Sequence, residues 1–250
     1  VGVLYADDNA FIIGDTMLRQ VLKRLEDWDG LGKIPVIVFD LDSTLFDTAA
    51  RHYKILCEFA EGESQSFQKV VNDISITEFG WSVTAPLEAR GANDPAVLGR
   101  LLAYWKTCFF TNEYVLADQP SKGAVSFVQE VHRLGALVYY LTGRDVPQMG
   151  VGTASALTKA GFPLWRGRTV LHLKPSFEMP DKDFKGEAIK DILSHGGEVV
   201  ATFDNEPENC NLFQAAFPDA LNVCFGSVHS PNSEPLDARI RSVVDFSISR

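Results

Sequence analysis

Two aspartates a single residue apart, Asp40 and Asp42, end the apolar run Val36-Ile37-Val38-Phe39, and Thr44 follows before the chain turns apolar again at Leu45-Phe46. One acid in such a place serves as a turn or helix cap. Two acids at one tip can also attack an electrophile, carry a proton or hold a hard cation. Three further sites of this kind follow. Thr142-Gly143-Arg144 comes after the apolar stretch Ala136 to Leu141 and offers a hydroxyl and a glycine amide able to cradle an anionic oxygen. Lys174, Lys182 and Lys185 come after Thr169 to Leu173, with Lys185 at the start of a helical stretch. Asp204 ends Glu198 to Phe203, and Glu208 lies four residues beyond it. Each site is weak alone, because Thr-Gly-Arg is ordinary turn composition and a lone lysine is ordinarily solvated. Their order along the chain is the specific signal.

The elements that must position these residues can be read from periodicity. Four apolar residues without polar alternation suit a strand buried on both faces of a parallel sheet, and such sheets hold ligands outside the carboxyl ends of their strands. From Ala124 onward, helix and strand alternate. A helix to Leu134 stops at Gly135, then come strand Ala136 to Leu141, a helix around Ala154 to Ala160, and strand Thr169 to Leu173. Helix Asp183 to Leu193, strand Glu198 to Phe203, helix Glu208 to Phe217 and strand Leu221 to Phe225 complete the series. That rhythm predicts an α/β fold built on a doubly wound, Rossmann-like parallel sheet. Ahead of the first strand, Leu18, Val21, Leu22, Leu25 and Trp28 recur at helical spacing after Asp15. Residues 1–15 show no period and stay unassigned. Ile240 to Ile248 reads as a short packed segment.

Between Thr48 and Asp118 the strand signals vanish and helical ones replace them, with Tyr53, Leu56 and Phe59 on one face and Leu98, Leu101, Leu102, Trp105 and Phe109 on another. Asp94-Pro95 opens the second of these helices, and Ser64 to Asn93 reads as short helix and loop. The expected division is a core of residues 1–47 and 119–250 with a mainly helical insertion, 48–118, placed to fold over the paired acids.

Composition narrows the possible partners. Thirty-three acidic against 23 basic residues give a net charge of −10, which repels phosphate backbones, and the insertion is also acidic. Nucleic acid and anionic membranes are therefore not expected partners. No apolar stretch is long enough to span a bilayer. Cys57, Cys108, Cys210 and Cys224 lack metal-site spacing and lie in apolar surroundings, which predicts buried thiols and a cytoplasmic, reducing setting. Other chemistries fail on their motifs. Gly150-x-Gly152-x-x-Ser155 lacks the third glycine of a dinucleotide fingerprint, Gly30-Leu31-Gly32-Lys33-Ile34 lacks the spacing of a P-loop, and no Gly-x-Ser-x-Gly elbow exists. His52, His132, His172, His195 and His229 are scattered without ligand spacing; His229 alone follows the last predicted strand near the expected rim.

The double aspartate, the Thr-Gly-Arg, the lysine and the later aspartate, each at the carboxyl edge of a successive strand, resemble the four ordered motifs of haloacid dehalogenase-like phosphatases. The insertion resembles that family's type 1 cap. One departure is that Phe203 precedes Asp204, where family members commonly carry Gly or Asp. The resemblance implies Asp40 as nucleophile and magnesium ligand, the Asp42 carbonyl and the Asp204 carboxylate as further ligands, and Asp42 as proton carrier. It also implies that Lys185, chosen over Lys174, is catalytic and that Thr142, Gly143 and Arg144 bind the substrate phosphate. Chemistry agrees with these roles. A carboxylate attacks a phosphate dianion only when a cation offsets the repulsion, and magnesium binds through a few carboxylates, waters and substrate phosphate. The expected activity is magnesium-dependent hydrolysis of a small phosphorylated metabolite through an aspartyl-phosphate. The presence of Asp42 favours a phosphatase over a dehalogenase, whose chemistry needs no leaving-group acid. The alternatives are a phosphotransferase, a phosphonate or haloacid hydrolase, or a catalytically silent magnesium-binding regulator.

Overall fold

The computed structural model describes residues 8–30 and 32–249, with side chains from Asp15 onward. In chain order the elements are α1 (Asp8–Glu26), β1 (Pro35–Phe39), β2 (Phe46–Asp47), α2 (Ala49–Ala60), α3 (Gln65–Asn72), α4 (Ala85–Glu88) and α5 (Pro95–Phe109). They continue as β3 (Gln119–Pro120), α6 (Ala124–Arg133), β4 (Leu137–Asp145), α7 (Val146–Ala160), β5 (Thr169–Lys174), α8 (Asp181–Ser194), β6 (Glu198–Asp204), α9 (Pro207–Ala216), β7 (Leu221–Phe225) and β8 (Arg241–Val243).

Six strands form one sheet in the order β5-β4-β1-β6-β7-β8, every neighbouring pair parallel. The predicted α/β sheet is therefore present, and β1 lies inside it because its residues are apolar on both faces. Ile37 and Phe39 enter a core shared with α1 and α6, while Val36 and Val38 enter a second core against α8 and α9. Phe39 stacks on Phe203 of β6 with ring centroids 5.0 Å apart, so the strands carrying Asp40 and Asp204 are locked side by side. From β1 the chain passes to β4 and β5 on one side and returns to β6 on the other. That reversal opens a crevice at the carboxyl end of β1.

Several boundaries differ from the sequence reading. The first helix begins at Asp8 rather than Asp15, the clustered Phe11-Ile12-Ile13 having hidden its period; residues 1–7 of the unassigned stretch lie outside the described residues. The helix predicted around Ala154 begins at Val146, with the Asp145 carboxylate accepting from the Gln148 amide as its cap. Gly150 and Gly152 obscured its first turns. Gly152 is needed there, since a Cβ would stand 2.3 Å from the Asn112 carbonyl oxygen. The expected packed segment at Ile240 contains a sixth strand, β8, too short and too exposed at Arg241 and Ser242 to give an apolar run.

The helical insertion leaves through β2 and returns through β3, which pair antiparallel as Phe46 with Pro120 and Asp47 with Gln119. It has its own core of Leu56, Phe67, Val71, Leu87 and Leu101. Local sequence sets its helix starts. Ser64 accepts from the Phe67 amide at α3, and Asp94, ahead of Pro95, accepts from the Ala96 amide at α5.

Candidate active site

At the end of β1 the chain places Asp40 beside Asp204, the last residue of β6, and α8 inserts Lys185 between them. The lysine Nζ lies 2.7 Å from Asp40 Oδ1 and 2.6 Å from Asp204 Oδ2. All three side chains are buried. Burial pushes the Asp40 carboxyl up to about 7 against the pull of Lys185. Burial alone would depress the Lys185 ammonium, but the two carboxylates outweigh it and raise its pKa. Asp204 is fixed from behind, its Oδ1 accepting from the Glu206 amide and Asn209 Nδ2. Among the described residues, no donor reaches Asp40 Oδ2.

Asp42 points into a different set of partners. Arg144 Nε and Nη2 grip its two oxygens at 2.8 and 3.0 Å, and Arg51 Nη2 adds a third contact at 2.7 Å. Both guanidiniums also bind Asp118, the last residue before β3: Arg144 Nη2 at 2.7 Å, Arg51 Nε at 2.8 Å and Arg51 Nη2 in a still closer contact. Two acids and two arginines thus form a neutral cluster joining β1, β4, the first helix of the insertion and its return strand. Asp118, Arg51 and Arg144 are almost wholly buried, while the Asp42 side chain keeps 35% of its surface open. Burial opposes ionisation of Asp42, yet Arg144 and Arg51 hold its carboxyl well below the usual range.

A cavity of about 290 Å³ spans this floor and the insertion above it, bordered by Asp40, Asp42, Gly143, Arg144 and Lys185 from below. The structure brings together Asp40, Lys185 and Asp204 as a triad and Asp42 with Arg144 as a pair. Arg144, read from sequence as a phosphate ligand, has its guanidinium committed to Asp42, Asp118 and Thr153. Thr142 is buried and its hydroxyl accepts from the Arg144 amide. Gly143 lies where a Cβ would stand 2.4 Å from an Asp181 carboxylate oxygen, so a side chain there would push the Asp181 carboxylate aside. Lys174 pairs with Asp181 at 2.8 Å rather than with Asp40. Glu208 pairs with Lys182, and His229 bonds to Ser230 and Ser233.

Sequence reasoning passed over Arg51, Asp118, His52, Asn205, Glu206 and Asn209. His52 borders the cavity and accepts the Trp105 indole hydrogen bond at Nδ1, 3.1 Å away. Burial, then the nearby Arg51, lower its pKa to about 4, so its ring is neutral near pH 7. Sequence carries one weak signal for Arg51 and His52: both lie within five residues of Asp47 at the end of the carboxylate stretch. Cys57 was expected to be buried and is only partly so; all four thiols are free.

No group of three His, Cys, Asp or Glu among the described residues is gathered as a ready-made metal cage. A small hard cation does not need one, since it keeps waters and shares one or two carboxylates with substrate oxygens. Two adjoining buried carboxylates, one with an oxygen that no donor among the described residues reaches, are hard donors that fit such an ion.

A family model described as haloacid dehalogenase-like hydrolase matches residues 34–202, from the residue before β1 into β6. The chain belongs to the haloacid dehalogenase-like hydrolases. Solved structures agree on the fold of this family. A candidate phosphatase from Clostridium difficile superposes with a TM-score of 0.52 at 10% identity, over 84% of this chain and 94% of its own. Protein Tyrosine Kinase A of Mycobacterium tuberculosis gives 0.51 at 12%, over 86% and 95%. A candidate haloacid dehalogenase-like hydrolase from Burkholderia xenovorans gives 0.50 at 15%, over 86% and 94%. A comparison with proteins of curated function finds no match. Among the described residues, no helix is long and apolar enough to cross a membrane.

Proposed function

We propose that this haloacid dehalogenase-like hydrolase is a magnesium-dependent phosphatase that cleaves small phosphate monoesters through an aspartyl-phosphate on Asp40. The observation carrying this reading is the single ammonium of Lys185 shared by Asp40 and Asp204. A nucleophilic carboxylate facing an anionic phosphoryl group needs a fixed cation at hand, and Lys185 supplies one. In the first step an Asp40 oxygen bonds to phosphorus as the ester oxygen departs with a proton. In the second, water bonds to phosphorus and gives up a proton, releasing inorganic phosphate and restoring the carboxylate.

Asp40, Asp204 and the Asp42 carbonyl would hold the magnesium, which would add positive charge beside the transferred phosphoryl group. Lys185, Thr142 and Gly143 are the groups we assign to the phosphoryl oxygens. Arg144 joins them only if it releases Asp42. Asp42 is assigned the proton transfers, which require its carboxylate to leave the grip of Arg144 and Arg51. We assign residues 48–118 as the cap and 1–47 with 119–250 as the core. The acidic surface favours a small phosphorylated metabolite over nucleic acid, and four free thiols favour a cytoplasmic setting. The test is a screen of phosphate esters read by released phosphate, with and without chelator. Release of phosphate that is abolished by chelation supports the reading; silence across the screen, or activity indifferent to chelation, overturns it.

A further inference from the structure

The insertion's side of the cavity is built from rings. Trp105, Phe109 and Phe110 border it, with Trp105 and Phe109 centroids 4.6 Å apart and Phe109 and Phe110 5.1 Å apart. Phe110 also packs edge-on against Phe177 of the core, 5.0 Å away, so the rings brace the two halves of the molecule. Trp81 borders the same space with 57% of its surface exposed. Among the described residues bordering the cavity from the insertion, Arg51 is the one permanent charge. Its Nε and Nη2 bind Asp118 and Asp42, and its Nη1 binds the Phe109 carbonyl. His52 already accepts a hydrogen bond at Nδ1 from Trp105. The insertion therefore presents ring faces to a bound molecule and no uncommitted charge.

We propose that the alcohol part of the substrate is an aromatic ring system, held between Trp81 and the Trp105-Phe109-Phe110 group with its phosphate directed at Asp40. This rests on the phosphatase reading and specifies its substrate class. A polyol or a carboxylate-bearing alcohol would surrender hydrogen bonds to water and find few replacements on the insertion's side, since the polar Ser43, Asp181, Asn205, Glu206 and Asn209 border the cavity from the core. A planar apolar ring loses little water and gains offset or edge-on aromatic contacts. The cavity volume of about 290 Å³ sits near the lower end of small-molecule pockets, roughly 300–1,000 Å³, which suits one ring system and a phosphate.

The test compares three esters of primary alcohols with similar intrinsic reactivity: benzyl phosphate, cyclohexylmethyl phosphate and glucose 6-phosphate. The expected kcat/KM for benzyl phosphate is about tenfold or more above glucose 6-phosphate and roughly threefold above its saturated analogue. Trp81→Ala, at a position 57% exposed, should raise KM for benzyl phosphate about fivefold with a smaller change in kcat. Benzylphosphonate and methylphosphonate, which have no ester bond to cleave, read the pocket separately by tryptophan fluorescence. Benzylphosphonate should bind about tenfold more tightly. Equal kcat/KM for benzyl phosphate and glucose 6-phosphate, or equal binding of the two phosphonates, would overturn the substrate class and leave the phosphatase reading intact. Preferential benzylphosphonate binding with no phosphate released from any ester overturns the phosphatase reading while upholding the aromatic pocket.

Discussion

The Lys185 ammonium stands between Asp40 and Asp204 at 2.7 and 2.6 Å, one buried cation joining the tips of two adjacent strands. Without it, two buried carboxylates face each other uncompensated. Lys185→Met should lower kcat/KM by about 10²–10³ and cost on the order of 3–5 kcal/mol of stability in the metal-free protein. Lys174→Met, which breaks the pair with Asp181 and the cation's contact with the Phe177 ring but touches neither Asp40 nor Asp204, should keep most activity. Steady-state kinetics and denaturant melts of the two variants check this; an inactive Lys174→Met beside an active Lys185→Met would move the catalytic lysine.

Metal should be needed for turnover. Chelator should abolish phosphate release and magnesium should restore it. Asp204→Asn removes a ligand charge but keeps a similar shape, so it should raise the magnesium concentration for half-activation about tenfold or more. Titration of activity against magnesium reads the shift, and an unmoved midpoint would argue against Asp204 as a ligand.

Asp40 and Asp42 should fail differently. Asp40→Asn should eliminate both rapid and steady release of product. Asp42→Asn removes a proton carrier, and general-base help is worth about 10²–10⁴-fold, so hydrolysis of the intermediate should become the slow step. With an aryl phosphate, whose leaving group departs unprotonated, rapid mixing should then show a burst of at most one equivalent of phenol. Protein quenched during the slow phase should carry hydroxylamine-labile phosphate. A burst in Asp40→Asn would identify another nucleophile.

His52 supplies a pH prediction. Its pKa is about 4 in the folded protein against 6.5 for the free side chain, so the unfolded chain binds a proton first as pH falls. The stabilising effect of a neutral His52 is present above pH 6.5 and lost between 6.5 and 4, by at most about 3 kcal/mol. His52→Gln can still accept from the Trp105 indole but does not titrate. Denaturant melts at pH 7, 5.5 and 4.5 should show the variant losing less stability than wild type; parallel losses would mean that His52 is not the titrating group.

Much of the core was legible because apolar runs stop abruptly at charged residues. Val36 to Phe39 before Asp40 and Glu198 to Phe203 before Asp204 both mark strands whose tips carry the site's buried carboxylates, and its place at a helix start separates Lys185 from Lys174. The Asp42 surroundings were not legible. Arg144 is 102 residues from Asp42, and its role as a clamp depends on a bulged extension of β4 that sequence presents as a turn. Arg51 and Asp118 sit at opposite ends of the insertion, where each resembles a solvated charge until folding brings them together. His52 looks like a residue on a helix face, and only its indole donor and the cavity beside it distinguish it. Strand β8 was missed because three residues with two exposed side chains leave no periodic trace.

The pairing of Phe46 with Pro120 and Asp47 with Gln119 means that the insertion departs and re-enters at one point of the core. For chain entropy, the long excursion is closed at its root like a hairpin, and closing cost rises only slowly with what lies beyond the closure. Lengthening or shortening the residues between those two short strands therefore leaves the register of β1, β4 and β6 undisturbed, provided Arg51 and Asp118 keep their places against Asp42 and Arg144. The carboxylate-bearing half and the ring-bearing half of the cavity are tied together at Arg51 and Asp118 and can diverge freely elsewhere. A hybrid that joins this core to another molecule's insertion at Asp47 and Gln119 would keep Asp40, Lys185 and Asp204 but lose Arg51 and Asp118, so it would need an equivalent pair to hold Asp42 and Arg144 in place.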